Sequence, residues 1–131
     1  MNLSFLPKYW PYFNYGAVVT LIIALCVVVL GSILGVVLAF AQRSRFRPLV
    51  WLAKTYVWIF RGTPMVVQIM IAFAMMHISA PNFRIGILTV DMTRLIPGII
   101  IIGMNSGAYV SETVRAGINA VPKGQLEAAY S

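Results

Sequence analysis

The sequence predicts an all-α integral membrane protein with about three transmembrane helices and its N-terminus outside the cell. Of its 131 residues, 60% are hydrophobic and only 10% are charged, whereas soluble domains carry about 25% charged residues. The longest apolar runs lie at residues 18–40, 64–78 and 95–114. We therefore expect residues 1–131 to form a single transmembrane domain that ends in a cytoplasmic segment over residues 115–131.

The first span is the most clearly marked of the three. Residues 18–40 hold no charged side chain, and about 23 helical residues reach about 34 Å, enough to cross a hydrocarbon core of about 30 Å. An aromatic belt typical of a membrane interface precedes this span: Tyr9, Trp10, Tyr12 and Tyr15. We reject a signal peptide because it would need a basic start and a shorter apolar stretch.

The segment between the first two spans, residues 46–60, has the periodicity of an amphipathic helix. Its proposed apolar stripe is Leu49, Leu52, Tyr56 and Ile59. We prefer an elbow helix lying at the membrane interface. The alternative is a deeper helix that continues through Arg61, whose charge would then have to be buried in protein.

The second and third spans each contain a proline near their start. Thr63 is the expected N-cap of the second span and Pro64 its first helical residue. Residues 64–78 reach only about 22 Å, so this span must be tilted, lie in thin bilayer or extend at one end. In the third span, Pro97 is expected within the first turn.

The ten basic residues indicate the orientation. Seven lie between the first two spans or after the third, and three lie on the opposite side. By the positive-inside rule, the N-terminus is outside and residues 115–131 are cytoplasmic. The net charge of +7 is scattered along the edges of apolar segments and forms no basic stripe, so we do not expect a nucleic-acid partner.

Polar residues on the third span form a stripe with two possible roles. Asn105, Tyr109 and Glu112 fall at i, i+4 and i+7, with Ser106 beside them. The stripe either lines a translocation path or forms hydrogen bonds that hold the helices together. Gln68 on the second span is a further candidate for the same path.

Two other patterns predict charge pairing and close helix packing. Glu112 and Arg115 stand three residues apart and can pair on one helix face. The predicted topology puts Arg61 on the same side of the membrane, so we hypothesise that Arg61 also reaches Glu112. Glycines spaced four apart, Gly31 with Gly35 and Gly103 with Gly107, predict close helix packing and do not by themselves identify a dimer interface.

Catalysis is not expected of this chain. The sequence has no P-loop motif G-x-x-x-x-G-K-[ST], so it lacks the usual means of binding ATP. Its single histidine and single aspartate, His77 and Asp91, flank a predicted outer loop without a nucleophile motif. We also expect no metal site, because His77 has no neighbouring cluster of ligands in the sequence.

The C-terminal segment is built to meet another protein in water. Pro122 and Gly124 interrupt the helix that leaves the membrane, and residues 125–129 are good helix formers. Glu127 lies in the first turn of this new helix, where the helix dipole favours an anion. A short helix across the membrane exit is expected.

These residues carry a family resemblance. The segment Gly124–Ala129 resembles the cytoplasmic EAA loop of ATP-binding-cassette importer permeases, and we call it the EAA-like segment. Gly107–Glu112 together with Arg115–Ile118 resembles the polar amino-acid uptake branch of that family, and Arg61–Pro64 resembles its RGTP motif.

The resemblance implies a MetI-like helical bundle in a bacterial cell membrane that transports a polar amino acid. The implied partners are an ATP-binding subunit, which would hold the ATP, an extracytoplasmic amino-acid-binding protein and a second permease, identical or different. The implied ATPase-coupling residues are Gly117, Pro122, Lys123, Gly124, Gln125, Glu127, Ala128 and Ala129. The implied motif and charge-pairing residues are Arg61, Gly62, Thr63, Pro64, Glu112 and Arg115.

The family loop continues to a glycine four residues after Ala129, whereas this sequence ends at Ser131. We therefore expect a fragment that lacks later spans. The competing function is a non-transporting membrane scaffold or regulatory subunit whose basic edges bind anionic lipid. An ion channel is a weaker alternative, because no polar filter is found.

Overall fold

The computed structural model describes residues 6–122 and 124–125. The described elements, in chain order, are the helices α1 (Leu6–Ala41), α2 (Arg47–Gly62) and α3 (Met65–Met75), the strands β1 (Phe83–Ile85) and β2 (Leu88–Val90), and the helix α4 (Met92–Asn119). The helix α4 packs along α1 and also contacts α2 and α3. A helical bundle was expected from the sequence.

The helix α1 contains the first predicted span and extends well beyond it. It has 36 residues, and its portion Tyr9–Ala41 is long and apolar enough to cross a membrane. The predicted aromatic belt therefore lies within the helix. Large apolar side chains such as Leu21 and Leu25 are 69% and 66% exposed. In water such exposure would be unfavourable, whereas in a membrane apolar side chains can face lipid or another helix.

The contact between α1 and α4 is made through glycines. A Cβ atom on Gly35 would lie 2.6 Å from Val110 Cβ, and one on Gly31 would lie 2.8 Å from Ser106 Cβ. Gly103 and Gly107 in turn face Leu30 and Leu34 of α1. Both predicted small-residue faces thus meet each other, which lets the two backbones approach closely.

The face of α2 that packs against the bundle differs from the predicted stripe. The buried side chains of α2 are Ala53 and Val57, whereas Leu49, Leu52 and Ile59 are exposed. Of the predicted stripe, only Tyr56 faces the bundle, where its hydroxyl donates to Met104 O at 2.9 Å. The sequence indicated an apolar stripe without assigning it to a protein contact; in the structure small residues make the close helix packing, and most of the stripe is left exposed.

The chain bends by 106° between α2 and α3. The helix α2 continues through Arg61, which agrees with the alternative to an interfacial elbow helix. The bend lies at residues 62–64, and we call this bend the elbow. Helix α3 has 11 residues and ends at Met75, before the predicted residue 78. Together α2 and α3 are long and apolar enough for one broken span or a re-entrant loop. The membrane boundaries themselves stay a prediction.

Thr63 does not cap the start of α3, contrary to the prediction. The N-cap of α3 is Pro64, and Thr63 is the C-cap of α2. The Thr63 hydroxyl donates backwards to Ile59 O at 2.8 Å, so it satisfies a carbonyl at the end of α2.

A short β-hairpin, absent from the all-α expectation, connects α3 to α4. Strands β1 and β2 pair antiparallel, with Phe83 opposite Val90. Gly86 adopts a φ of +58°, a conformation that favours glycine. A Cβ atom there would also collide with the Tyr15 ring of α1, so this glycine permits the hairpin to rest on that helix.

Helix α4 begins at Met92, three residues before the predicted third span, and ends at Asn119. Asp91 is its N-cap, and its carboxylate accepts from Thr93 N at 3.0 Å and from the Thr93 hydroxyl. The hydrogen bond from the Thr93 side chain lowers the pKa of Asp91. Because the helix starts early, Pro97 lies in the second turn and not in the predicted first turn; its side chain is buried.

Candidate functional site

The structure brings together the three charges that the sequence hypothesis linked. Arg115 Nη2 donates to Glu112 Oε2 at 2.7 Å within α4. Arg61 Nη1, in the last turn of α2, lies 3.9 Å from the same oxygen. Two guanidinium groups from different helices therefore converge on one carboxylate oxygen, and this contact connects the α2–α3 elbow to the C-terminal third of α4.

Tyr109 belongs to this charge cluster as well. The guanidinium carbon of Arg61 lies 5.2 Å from the centroid of the Tyr109 ring, a cation–π geometry. Tyr109 is half exposed, one turn before Glu112 on α4. Arg61 is consequently held between an aromatic face and a carboxylate, both on α4.

The side-chain amides of Gln68 and Asn105 also bind the elbow. Pro64 has no N–H, so Phe60 O has no helical partner four residues ahead. Gln68 Nε2 donates to Phe60 O at 2.9 Å and to Thr63 Oγ1 at 2.6 Å. Asn105 Nδ2 donates to the same Phe60 O at 3.1 Å and to Gln68 Oε1 at 3.0 Å. Side chains on α3 and α4 thus replace the hydrogen bond that the proline removes.

This geometry favours the hydrogen-bonding alternative for part of the polar stripe. Gln68 and Asn105 are each only 8% exposed. Ser106 faces α1, where it lies against Gly31. Tyr109 and Glu112 remain accessible beside Arg61. A role of any of these residues in a translocation path stays a prediction.

Two contacts between the end of α1 and α4 were not predicted from the sequence. Gln42 Nε2, at the end of α1, lies 3.5 Å from Ser111 Oγ, and Ser111 is fully buried. Arg43 Nη1 donates to Asn119 Oδ1 at 2.8 Å. The signal was present for Gln42, since it is an amide at the end of an apolar span. The partner of Arg43 lies 76 residues away in the sequence, and spacing alone could not identify it.

The predicted coupling segment is only partly within the described residues. Gly117 lies near the end of α4, and a Cβ atom there would meet nothing within 4 Å. After the helix ends, Gln125 N donates to Pro122 O at 3.1 Å, so the chain turns at Pro122 and Gly124. Lys123, Glu127, Ala128 and Ala129 lie outside the described residues. The ATPase-coupling role of the segment stays a prediction.

Metal ligation finds no support in the part of the chain that the structure describes. Within residues 6–122 and 124–125, no group of three or more His, Cys, Asp or Glu side chains could hold a metal ion.

Comparison with known proteins agrees with the sequence motifs. Residues 28–131 match the family model described as binding-protein-dependent transport system inner membrane component. The arginine transport system permease protein ArtQ of Bacillus subtilis is 40% identical over 134 residues, covering 100% of this chain and 57% of that protein. The putative glutamine transport system permease protein GlnP of Rickettsia prowazekii is 41% identical, covering 97% of this chain and 56% of its own length.

A solved structure gives the same result for the fold. The crystal structure of an amino acid ABC transporter with histidines superposes with a TM-score of 0.81 at 30% sequence identity. The match covers 99% of this chain and 56% of the solved chain. The chain spans about half the length of the curated relatives it matches. The resemblance drawn from the RGTP-like and EAA-like segments is thereby confirmed, and the chain belongs to the family of binding-protein-dependent transport system inner membrane components.

Proposed function

We propose that this chain is a permease component of an ATP-driven amino-acid importer, where it contributes to the translocation path and couples to a separate ATPase. The observation that carries the proposal is the continuity of α4. This single helix of 28 residues holds Asn105 and Glu112 and ends at Asn119, five residues before the EAA-like segment Gly124–Ala129. A displacement of that segment would therefore be transmitted along a helix of about 42 Å.

The contacts at one end of the bundle support a cytoplasmic position for the EAA-like segment. Arg43 binds Asn119 at the end of α4, and Arg61 and Arg115 both lie at Glu112. Since basic residues concentrate on the cytoplasmic side of membrane proteins, this end of the bundle faces the cytoplasm and the hairpin faces outside. The membrane is the bacterial cell membrane.

The proposed assembly contains three kinds of partner. An ATP-binding subunit receives the segment from Pro122 onward, an extracytoplasmic protein delivers the amino acid, and a second permease completes the path. The similar proteins named above are permeases for arginine and, putatively, glutamine. These names support a polar amino acid as the substrate class and favour a transporter over the non-transporting scaffold. ATP hydrolysis belongs to the partner subunit, and this chain performs no catalysis.

The coupling step requires a bundle with two arrangements that nucleotide binding favours differently. Closure of the ATPase pair would push on the EAA-like segment, and α4 would move relative to the α2–α3 elbow. The Arg61–Glu112 contact and the Gln68–Asn105 contact join those two parts, so they are the contacts that such a movement would strain.

Membrane-impermeant thiol labelling in intact cells tests the orientation. Cys26 is replaced by serine, and a single cysteine is introduced either as Asn82→Cys beside the hairpin or as Ala120→Cys at the end of α4. We expect labelling at position 82 in intact cells and at position 120 only after permeabilisation. The reverse pattern would place the EAA-like segment outside and would overturn the proposed function.

Co-purification with the ATPase tests the coupling role. Glu127→Lys reverses the charge expected in the first turn of the coupling helix, so we expect loss of the ATPase from the purified complex. Arg84→Glu, a charge reversal on the hairpin, is the matched control and should retain it. Equal ATPase recovery with both variants would refute the coupling role of the segment.

A further inference from the structure

A polar cavity of about 560 Å³ opens between α2 and α4, beside the end of α1. Its volume falls in the range of about 300–1,000 Å³ that is typical of sites for small ligands. The charged groups in its lining are Lys54, Arg61, Arg115 and Glu112. The cavity is therefore lined by three cations and one carboxylate, a surplus of two positive charges.

The single carboxylate does not satisfy these cations. Arg61 and Arg115 share one oxygen of Glu112, at 3.9 Å and 2.7 Å. Lys54 makes no ion pair with any residue in the described part of the chain. Positive groups that line one cavity repel one another. An additional anion in the cavity would relieve it and would form charge-assisted hydrogen bonds with the guanidinium groups.

The surroundings of the cavity indicate where such an anion comes from. Trp58 and Tyr109 contribute to its lining and are 76% and 49% exposed. Ile59, next to Trp58, is also exposed. Aromatic side chains of this kind concentrate at the level of lipid headgroups. The cavity thus combines surplus positive charge with an aromatic and apolar rim, a combination suited to a headgroup attached to acyl chains.

We propose that this cavity binds a phosphate-bearing anion, and that its source is the headgroup of an anionic phospholipid. The phosphate lies among Lys54, Arg61 and Arg115, and the acyl chains run past Trp58 and Ile59. The proposal rests on the contacts of α2 and α4 and does not depend on the proposed transport activity. A negative result for lipid binding would therefore leave the transport proposal standing, and a negative result for transport would leave the lipid site standing.

The test is lipid binding by the complete chain in nanodiscs of phosphatidylcholine with rising fractions of phosphatidylglycerol, followed by native mass spectrometry of retained lipid. Lys54→Gln removes a cation that makes no ion pair within residues 6–122 and 124–125, so the fold should tolerate it. We expect retention of phosphatidylglycerol to weaken about fivefold, the effect of roughly 1 kcal/mol per cation near an anionic surface. Arg45→Gln, an exposed cation outside the cavity, is the matched control and should change retention less than twofold.

A second variant changes the charge balance in the opposite direction. Glu112→Gln removes the carboxylate of the cavity, so binding of phosphatidylglycerol should tighten.

Competition with inorganic phosphate separates the two possible sources of the anion, a lipid headgroup and free phosphate. If only other anionic lipids displace bound phosphatidylglycerol, the ligand is a lipid headgroup. If inorganic phosphate at equal concentration displaces it, the site belongs to free phosphate and the lipid source is overturned. Equal retention by Lys54→Gln and Arg45→Gln would overturn the site altogether.

Discussion

The side-chain amides of Gln68 and Asn105 meet across the interface of α3 and α4, where Asn105 Nδ2 lies 3.0 Å from Gln68 Oε1. Both amides also donate to Phe60 O, the carbonyl that Pro64 leaves without a helical partner. The pair therefore compensates for the proline at the point where the chain bends by 106°. The elbow and the packing of α3 on α4 depend on the same few hydrogen bonds.

Gln68→Leu should destabilise the fold through this elbow. The variant keeps a side chain of similar size but leaves Thr63 without its amide donor and Asn105 without its amide acceptor. Asn105 is buried, and a buried polar group left without a partner costs about 1–3 kcal/mol. Thermal unfolding in detergent, followed by tryptophan fluorescence, measures the effect. Met70→Leu, at an exposed position of the same helix, should leave the unfolding temperature unchanged; equal effects of both variants would contradict a role of the amide in the elbow.

Gly35→Ala should weaken the packing of α1 on α4. The new methyl group would lie 2.6 Å from Val110 Cβ and 3.1 Å from Gly107 O. Neither atom lies at the far end of a flexible side chain, so the helices must move apart. Overpacking of this kind costs about 1–3 kcal/mol.

Gly16→Ala is the control for that variant, since it lies on the same helix and its new methyl group meets nothing within 4 Å. It should retain or slightly raise the unfolding temperature, because alanine favours helices over glycine. Unfolding temperatures for Gly35→Ala at or above that of the unmodified chain would show that the interface is looser than the structure indicates.

The long helices and the charge cluster were accessible from the sequence for physical reasons. An uncharged apolar run longer than the membrane is thick predicts α1 directly, and the glycine spacing predicts close helix packing without identifying the partner helix. Arg61 and Glu112 could be linked because topology alone puts them at the same side of the membrane. In each case one physical constraint, either the thickness of the membrane or the side of it on which a charge lies, is enough for the prediction.

The elbow and the orientation of α2 were not accessible in the same way. Pro64 signals that a helix starts, but it does not set the 106° angle, which depends on amides contributed by α3 and α4. The apolar pattern of α2 identifies a helix without indicating which face packs on protein, because lipid also accepts apolar side chains. The strands of the hairpin have three residues each, too few for a recognisable alternation.

The N-cap of α4 predicts a pH-dependent contribution to stability. The hydrogen bond from Thr93 lowers the pKa of Asp91 in the folded chain. The folded state therefore favours the ionised carboxylate, and its stabilisation is complete above the ordinary aspartate pKa. It is lost as the pH falls through the lowered folded-state value.

Asp91→Asn tests this linkage, since asparagine can still cap the helix but does not titrate. The difference in unfolding temperature between the unmodified chain and the variant should shrink as the pH is lowered through the acidic range. A difference that stays constant from neutral to acidic pH would contradict the linkage. Asp91→Ala, which removes the cap altogether, should be less stable than Asp91→Asn at every pH.

The Arg61–Glu112 contact should appear as energetic coupling between two helices. Both side chains are partly exposed, and the distance of 3.9 Å is longer than that of the Arg115–Glu112 pair. Water screens such contacts, so we expect a coupling energy of no more than about 1 kcal/mol. A double-mutant cycle of Arg61→Gln and Glu112→Gln, evaluated from urea unfolding, measures it.

A parallel cycle with Arg115→Gln and Glu112→Gln provides the comparison, because that pair is closer and lies within one helix. Glu112→Gln removes the carboxylate partner of both Arg61 and Arg115, whereas Arg61→Gln removes one ion pair and the cation–π contact with Tyr109, so the two single variants should differ. Additive effects of Arg61→Gln and Glu112→Gln would mean that α2 and α4 are not coupled through this carboxylate. In that case α2 would be attached to α4 through the Asn105–Phe60 and Tyr56–Met104 hydrogen bonds and the Arg61–Tyr109 contact, and strain at the EAA-like segment would reach α2 through these contacts instead.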